Sequence, residues 1–202
     1  THQFLNANNL DVVYMSSPNL PMRYSIENDG AGAASSFEHI CCSVISEGGV
    51  DNTGILRYKS TGGVHVDANS ANTIYAVVGL RLKTSGIGVT VEIESKTALA
   101  ETNDDFEWML IWNPTIAGTF TYADETDSAV QTALGATANT ITGGYIVSGG
   151  FTESSTPTSE AIQNALILGS AIDGTRDELV LCVRPLTGNL DVQGSLTWRE
   201  LS

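Results

Sequence analysis

The chain has 202 residues, and its nine Lys and Arg against 23 Asp and Glu give a formal charge of −14. A chain this acidic is repelled by phosphate backbones and anionic bilayers, which sets aside nucleic-acid and membrane-surface binding. With 42% apolar and 16% charged residues it can bury a core and is no disordered tail, and no apolar run approaches the roughly 18 residues that a bilayer span needs.

Residue 1 is Thr, and no basic-then-apolar leader follows it. Residues 1–17 therefore read as an arm or a connection to an anchor missing from this sequence, and 18–202 as a single domain. The segment Phe37–Glu47 supports two readings. Phe37, Ile40, Cys41, Val44 and Ile45 fit a helical face behind a Ser35-x-x-Glu38 capping box. Its Ser, Cys, Val and Ile content favours a strand pairing with Leu20–Glu27. Cys41, Cys42 and Cys182 cannot all pair within one chain, and they read as free thiols.

Further along, Ser60–Ala71 reads as a polar loop. Ile74, Ala76, Val78, Leu80 and Leu82 form one face of a long strand. Val89, Val91 and Ile93 alternate with polar neighbours, and Phe106–Trp112 is a strand that Pro114 stops. Ala123–Thr140 and Gly149–Ser159 read as polar loops. Ser159–Leu168 is a weak helix candidate through Ala161, Ile162, Ala165 and Leu166. Leu179–Val183 is apolar on both faces and suits a central strand covered on both sides. Leu190, Val192, Leu196 and Trp198 share one parity, broken at Gly194, which marks a bulge or a close approach by another backbone. Gly-rich turns punctuate these segments at intervals of roughly ten residues. The pattern predicts an all-β fold: an antiparallel β-sandwich, jelly-roll-like, with long polar loops and at most one short helix. No repeat period points to a solenoid or propeller.

Few residues arrange themselves for chemistry. His2, His39 and His65 lie in no zinc motif, and His39 with Cys41 is only a two-ligand fragment. No nucleophile elbow is present, and nine basic residues are poor ground for an activated cysteine. Gly86-Ile87-Gly88 reads as a turn, not a phosphate loop. The carboxylates cluster at Asp104, Asp105 and Glu107 and again at Asp124, Glu125 and Asp127. The second cluster is a weak calcium candidate. No catalytic residue and no cofactor is assigned. Trp108, Trp112, Tyr122 and Tyr145 are candidate glycan contacts, since aromatic platforms stack on sugars.

One resemblance goes further. Leu20-Pro21-Met22-Arg23-Tyr24-Ser25-Ile26-Glu27-Asn28, a small-residue loop, and Phe37-Glu38-His39-Ile40-Cys41-Cys42-Ser43-Val44-Ile45-Ser46-Glu47-Gly48-Gly49 come first. Asn113-Pro114-Thr115-Ile116-Ala117-Gly118-Thr119-Phe120-Thr121-Tyr122, Ser128–Gln131, Gly143-Gly144, Ser148-Gly149 and Trp198–Leu201 follow. This order of blocks resembles virion structural protein domains of tailed bacteriophages. The resemblance implies a non-enzymatic head fibre or capsid decoration domain, a homotrimer carried on the virion exterior. Its partners would be itself and the major capsid protein or another virion protein, met through the N-terminal side. The alternative is a tail-fibre, receptor-binding domain that recognises host surface glycans. A polysaccharide depolymerase is a third reading, allowed by the carboxylate clusters but supported by no β-helix repeat. The acidic residues, grouped in loops, read as a solvated outer coat.

Overall fold

The computed structural model describes residues 54–201 except 87–88, 154–157 and 172–173, and for residues 160 and 163–165 the backbone alone. All of them belong to one compact unit, Thr53–Leu201. The Leu20–Glu27 and Phe37–Glu47 readings, the His39–Cys41 fragment and the first resemblance blocks lie outside the described residues.

Strands dominate, as the alternation predicts. They are β1 (Ile55–Ser60), β2 (Val66–Ala68), β3 (Tyr75–Leu82), β4 (Thr90–Ala100), β5 (Phe106–Trp112), β6 (Thr115–Ile116) and β7 (Ala123–Asp124). Then come β8 (Val130–Leu134), β9 (Ile141–Thr142), β10 (Tyr145–Thr152), β11 (Thr158–Leu168), β12 (Glu178–Pro185) and β13 (Leu190–Leu201). A single 3-10 turn, Thr84–Gly86, is the one helical element among the described residues. Sheet A has the order β1-β13-β4-β11, with β2 also on β13. Sheet B runs β10-β5-β12-β3-β8-β7, and β6 with β9 makes a two-stranded ribbon. Every pairing is antiparallel.

The two sheets pack face to face as a sandwich. Their shared core takes Val91, Ile93, Leu196 and Trp198 from sheet A and Val78, Leu80, Phe106, Trp108, Leu110, Leu179 and Leu181 from sheet B. Sheet B is apolar on its other face too, where Ala76, Met109, Ile111, Val180 and Cys182 are buried beneath Ile116 and Phe120. That second layer explains the continuous apolar run Leu179–Val183. Strand β12 sits between β3 and β5 with both faces covered, and all five residues are buried.

Several expectations need correcting. Ile74, Ala76, Val78, Leu80 and Leu82 do not share a face. A bulge in β3 opposite Leu181/Cys182 turns the strand over. Val78, Leu80 and Leu82 point into the sandwich, and Ala76 and Ile74 into the outer layer. Ser159–Leu168 is not a helix but β11. Between Ala161 and Leu166 its register slips by three residues against β4. This bulge brings Ile162 and Leu166 to the same core, so a helical spacing arises from a strand. The stretch read as one loop, Ala123–Thr140, contains β7 and β8. Gly149–Thr152, read as loop, completes β10. Ser60–Ala71 includes β2. At Gly194 the bulge does not hold, and the close approach comes from side chains of the facing sheet, not from another backbone. A Cβ there would sit 2.7 Å from Val77 Cγ1 and 3.0 Å from Leu181 Cδ2, while the β13–β4 register slips only near Thr197/Trp198.

Candidate functional site

The acidic segment between β7 and β8 is the first candidate. Asp124 accepts a hydrogen bond from Gln131 Nε2 at 2.7 Å. Glu125 accepts from Lys59 Nζ at 2.5 Å and from Thr132 Oγ1 at 2.5 Å, and its carbonyl takes Lys83 Nζ. Arg57 donates to the carbonyls of Thr126 and Asp127. Asp127 has a left-handed backbone, φ 52°. From β13, Glu200 reaches the same segment and accepts from Ser128 Oγ, from Ala129 N at 3.0 Å and from the buried Trp198 Nε1 at 2.9 Å. Arg57 Nε lies 3.6 Å away from it. The carboxylates of Asp124, Glu125 and Asp127 are thus not gathered around one point. The segment is a clasp that joins the β1–β13 end of sheet A to the β7–β8 end of sheet B.

Protonation follows this geometry. Burial raises the Glu125 carboxyl, but Lys59 and Thr132 outweigh it and hold the group below its ordinary value of 4.5. Burial likewise raises Glu200, and Ser128, Trp198, Ala129 and Arg57 bring it below 4.5.

Asp104 departs furthest from the solvated-coat expectation. It is 1% exposed and accepts from the backbone N–H groups of Thr187, Gly188 and Asn189 at 3.2, 3.0 and 3.1 Å. These donors outweigh the burial that raises it and keep the carboxyl below its ordinary 3.8. Glu107 pairs with Arg184, and Glu178 with Arg81 at 2.9 Å. Much of the acidity therefore holds loops and strands in place; it is not merely a solvated coat.

The four aromatic candidates separate. Trp108 is 4% exposed in the sandwich core, with Lys96 Nζ 3.2 Å from its ring centroid. Trp112, two turns of the pleat along the same face, is half-buried against that core. Tyr122 lies on the opposite face of sheet B, under Arg81 at 4.1 Å and edge-on to Phe120 at 5.4 Å. Its hydroxyl is buried without a hydrogen-bond partner among the described residues, and burial pushes the phenol above its ordinary value of 10. Tyr145 is 75% exposed at the start of β10, directly across from Trp112. Arg81, Pro114, Ile116, Phe120, Tyr122 and Glu178 line an open groove of about 260 Å³.

The groove wall is the block Asn113–Tyr122. Asn113 takes a left-handed turn, φ 48°, donates to Asp177 Oδ1 at 2.9 Å and accepts from Glu178 N at 2.7 Å. This folds the chain back over sheet B, where Ile116 and Phe120 seal the outer layer.

A cluster that sequence reasoning missed gathers around β2, the end of β4 and the start of β13. His65 Nε2 lies 3.0 Å from Asp67 Oδ1, and Nδ1 lies 3.0 Å from Glu101 Oε2. Asp191 stands directly across from Asp67. Ligand atoms of His65, Asp67 and Asp191 lie within 4.8 Å of one another. The only local signal was the two-residue spacing of His65 and Asp67, since the remaining members come from distant parts of the chain.

No protein-family model matches the chain, and no curated protein or solved structure matches it at a significant level. Function therefore rests on the residues. Glu125, Glu200 and Asp104 direct their carboxylates to hydrogen-bond donors within the fold.

Proposed function

We propose that this chain is a non-enzymatic virion structural domain of a tailed phage, carried on the particle exterior as a head fibre or capsid decoration domain. The observation that carries the reading is the order of sequence blocks, above all Asn113–Tyr122, which here forms the outer cover of sheet B. The strand order supports its fold component. Within the five-stranded sheet A and the six-stranded sheet B, the runs β1-β13-β4-β11 and β10-β5-β12-β3 supply four strands each, which supports a jelly-roll-like reading. Assembly as a homotrimer, with the N-terminal side meeting the major capsid protein or another virion protein, belongs to the same reading. Labelling intact virions with an antibody against this domain, or imaging them by cryo-electron microscopy, tests it. Label on the capsid is expected; label confined to the tail refutes the head assignment.

A tail-fibre domain that recognises host glycans is the second reading, favoured by the groove of Arg81, Phe120, Tyr122 and Glu178 and by the exposed Tyr145 ring. A glycan array separates the two, since a decoration domain gives no signal and a receptor-binding one loses signal on Tyr145→Ala.

A further inference from the structure

Elsewhere in the domain carboxylates are answered by Lys or Arg. Glu125 meets Lys59, Glu178 meets Arg81, Glu107 meets Arg184, Glu94 meets Arg199 and Glu200 meets Arg57. The cluster around His65 departs from this. Asp67, Asp191 and Glu101 stand together there, and among the described residues no Lys or Arg pairs with any of them. Asp67 and Asp191 are directly opposite each other on β2 and β13, and like charges so placed destabilise a sheet. The fold fixes this arrangement. Val66, Ala68, Leu190 and Val192 are buried, so strand alternation turns Asp67 and Asp191 to the outer face of sheet A, and His65 shares the parity of Asp67. Glu101 N donates to the Asp191 carbonyl at 2.7 Å, and Asp191 N donates to Thr102 Oγ1 at 2.9 Å. These bonds pin the corner after β4 to the start of β13.

The imidazole has a carboxylate at each nitrogen. In the tautomer that donates Nδ1–H to Glu101, Nε2 turns a lone pair toward Asp67 Oδ1 at 3.0 Å. Two acceptors at that distance need a cation between them. A proton serves this pair alone and leaves Asp191 unanswered. A metal ion answers all three, because the ligand atoms of His65, Asp67 and Asp191 lie within 4.8 Å of one another. At metal–ligand distances of about 2.0–2.2 Å, ligand atoms stand about 3–4 Å apart, so partly exposed side chains close the shell by movements of about 1 Å. The surrounding groups are placed as supports of such a site. Glu101 faces Nδ1 and is itself held by Gln193 Nε2, and Thr137 Oγ1 donates to Asp67 Oδ2 at 3.4 Å. A carboxylate on the far nitrogen is the recurrent support of a metal-bound imidazole.

We propose that His65 Nε2, Asp67 and Asp191 bind a divalent metal ion of the Zn2+ type, with Glu101 as the positioning residue that orients the imidazole. One nitrogen and two carboxylates suit Zn2+ better than Ca2+, which takes an all-oxygen shell. Three protein ligands leave a position for water. The ion clips β2, a three-residue strand paired with β13, to the start of that strand. The site owes nothing to the virion reading, and it lies on sheet A, apart from the groove of Arg81 and Tyr122 on sheet B.

The test uses the full chain, stripped with EDTA and titrated with Zn2+ by isothermal titration calorimetry. His65→Gln and Asp191→Asn should each bind one Zn2+ fewer than the wild type, since His2, His39, Cys41 and Cys42 are present in all three. Glu101→Gln should keep the stoichiometry and weaken the site by about 10-fold or more. Thermal melting gives a second readout in which the order of the proteins reverses. In EDTA, Asp191→Asn should melt at or above the wild type, because the opposed charges are relieved. In Zn2+ at a hundredfold excess over Kd, the wild type should gain about 5–10 °C and overtake the variant. Equal Zn2+ stoichiometry in the wild type and both variants overturns the site. A melting deficit of Asp191→Asn that is the same in EDTA and in Zn2+ overturns Asp191 as a ligand. Ca2+ binding that Zn2+ does not displace overturns the imidazole as one, and an unchanged affinity in Glu101→Gln overturns its positioning role.

Discussion

Glu200 is the residue whose removal says most about how the sandwich is closed. It is 9% exposed and accepts hydrogen bonds from Ser128, Ala129 and Trp198, with Arg57 close by. Replacing it with alanine orphans a Trp198 N–H on a side chain that is 1% exposed, which costs about 1–3 kcal/mol. The Ala129 and Ser128 donors and the Arg57 charge lose their acceptor too, though water reaches them more easily. Together the loss is about 3–5 kcal/mol, and at about 2–4 °C per kcal/mol for a domain of this size the melting temperature falls by about 10 °C. Gln keeps one oxygen for Trp198 and Ser128 but turns an amide N–H toward the Ala129 N–H, so Glu200→Gln should cost about 1–2 kcal/mol. Urea unfolding followed by tryptophan fluorescence measures both. The dependence on pH is a second check. The folded-state carboxyl is held below 4.5, so its contribution is fully present above that unfolded value and is lost as pH falls through the folded one. The gap between wild type and Glu200→Gln should therefore narrow on acidification. A gap that stays constant from pH 7 to pH 3, or a Glu200→Ala variant as stable as wild type, refutes the clasp.

Three further outcomes follow from the same contacts. Asp104→Ala should cost about 2–4 kcal/mol by orphaning three backbone donors, and the wild type's advantage over it should fade in acid as the depressed carboxyl is protonated; an unchanged urea midpoint contradicts this. Gly194→Ala should destabilise by about 1–3 kcal/mol because its Cβ has no room beside Val77 and Leu181, and a neutral result means that the sheets part there freely. Cys182 is buried, which pushes its thiol well above the ordinary 9.0, so peptide mapping should find it alkylated only after denaturation; labelling in the native protein at the rate of a free thiol refutes its burial.

The strands were legible where one periodicity governs a whole element. Phe106–Trp112, Leu179–Val183 and the Leu190–Trp198 parity appear in the structure as β5, β12 and the inward face of β13. The face assignments failed at bulges, because one extra residue in β3 inverts every side chain beyond it. Strand β11 was misread for a related reason, since three inserted residues turn a period of two into an apparent helical spacing. Strand β8 hid in a Thr, Gln and Ala composition with weak strand signal. Of the candidate sites, only the shared face of Trp108 and Trp112 was readable, because parity fixes it. The Glu200 clasp and the Asp104 cap join residues more than 70 positions apart, and no local pattern records such pairs.

This long-range pairing also changes what the charge of −14 means. Acids spread only for solubility would stand exposed, and their removal would leave stability nearly untouched. Here Asp104 and Glu200 are buried acceptors, and Glu125 answers Lys59 across the gap between the sheets and Lys83 from its own sheet. The basic residues are few, and three of them, Arg57, Lys59 and Lys83, converge on the one segment that bridges the β1 and β7–β8 ends. Ionic contacts thus fasten one side of the sandwich, while β10, on the other side, carries no charge at all.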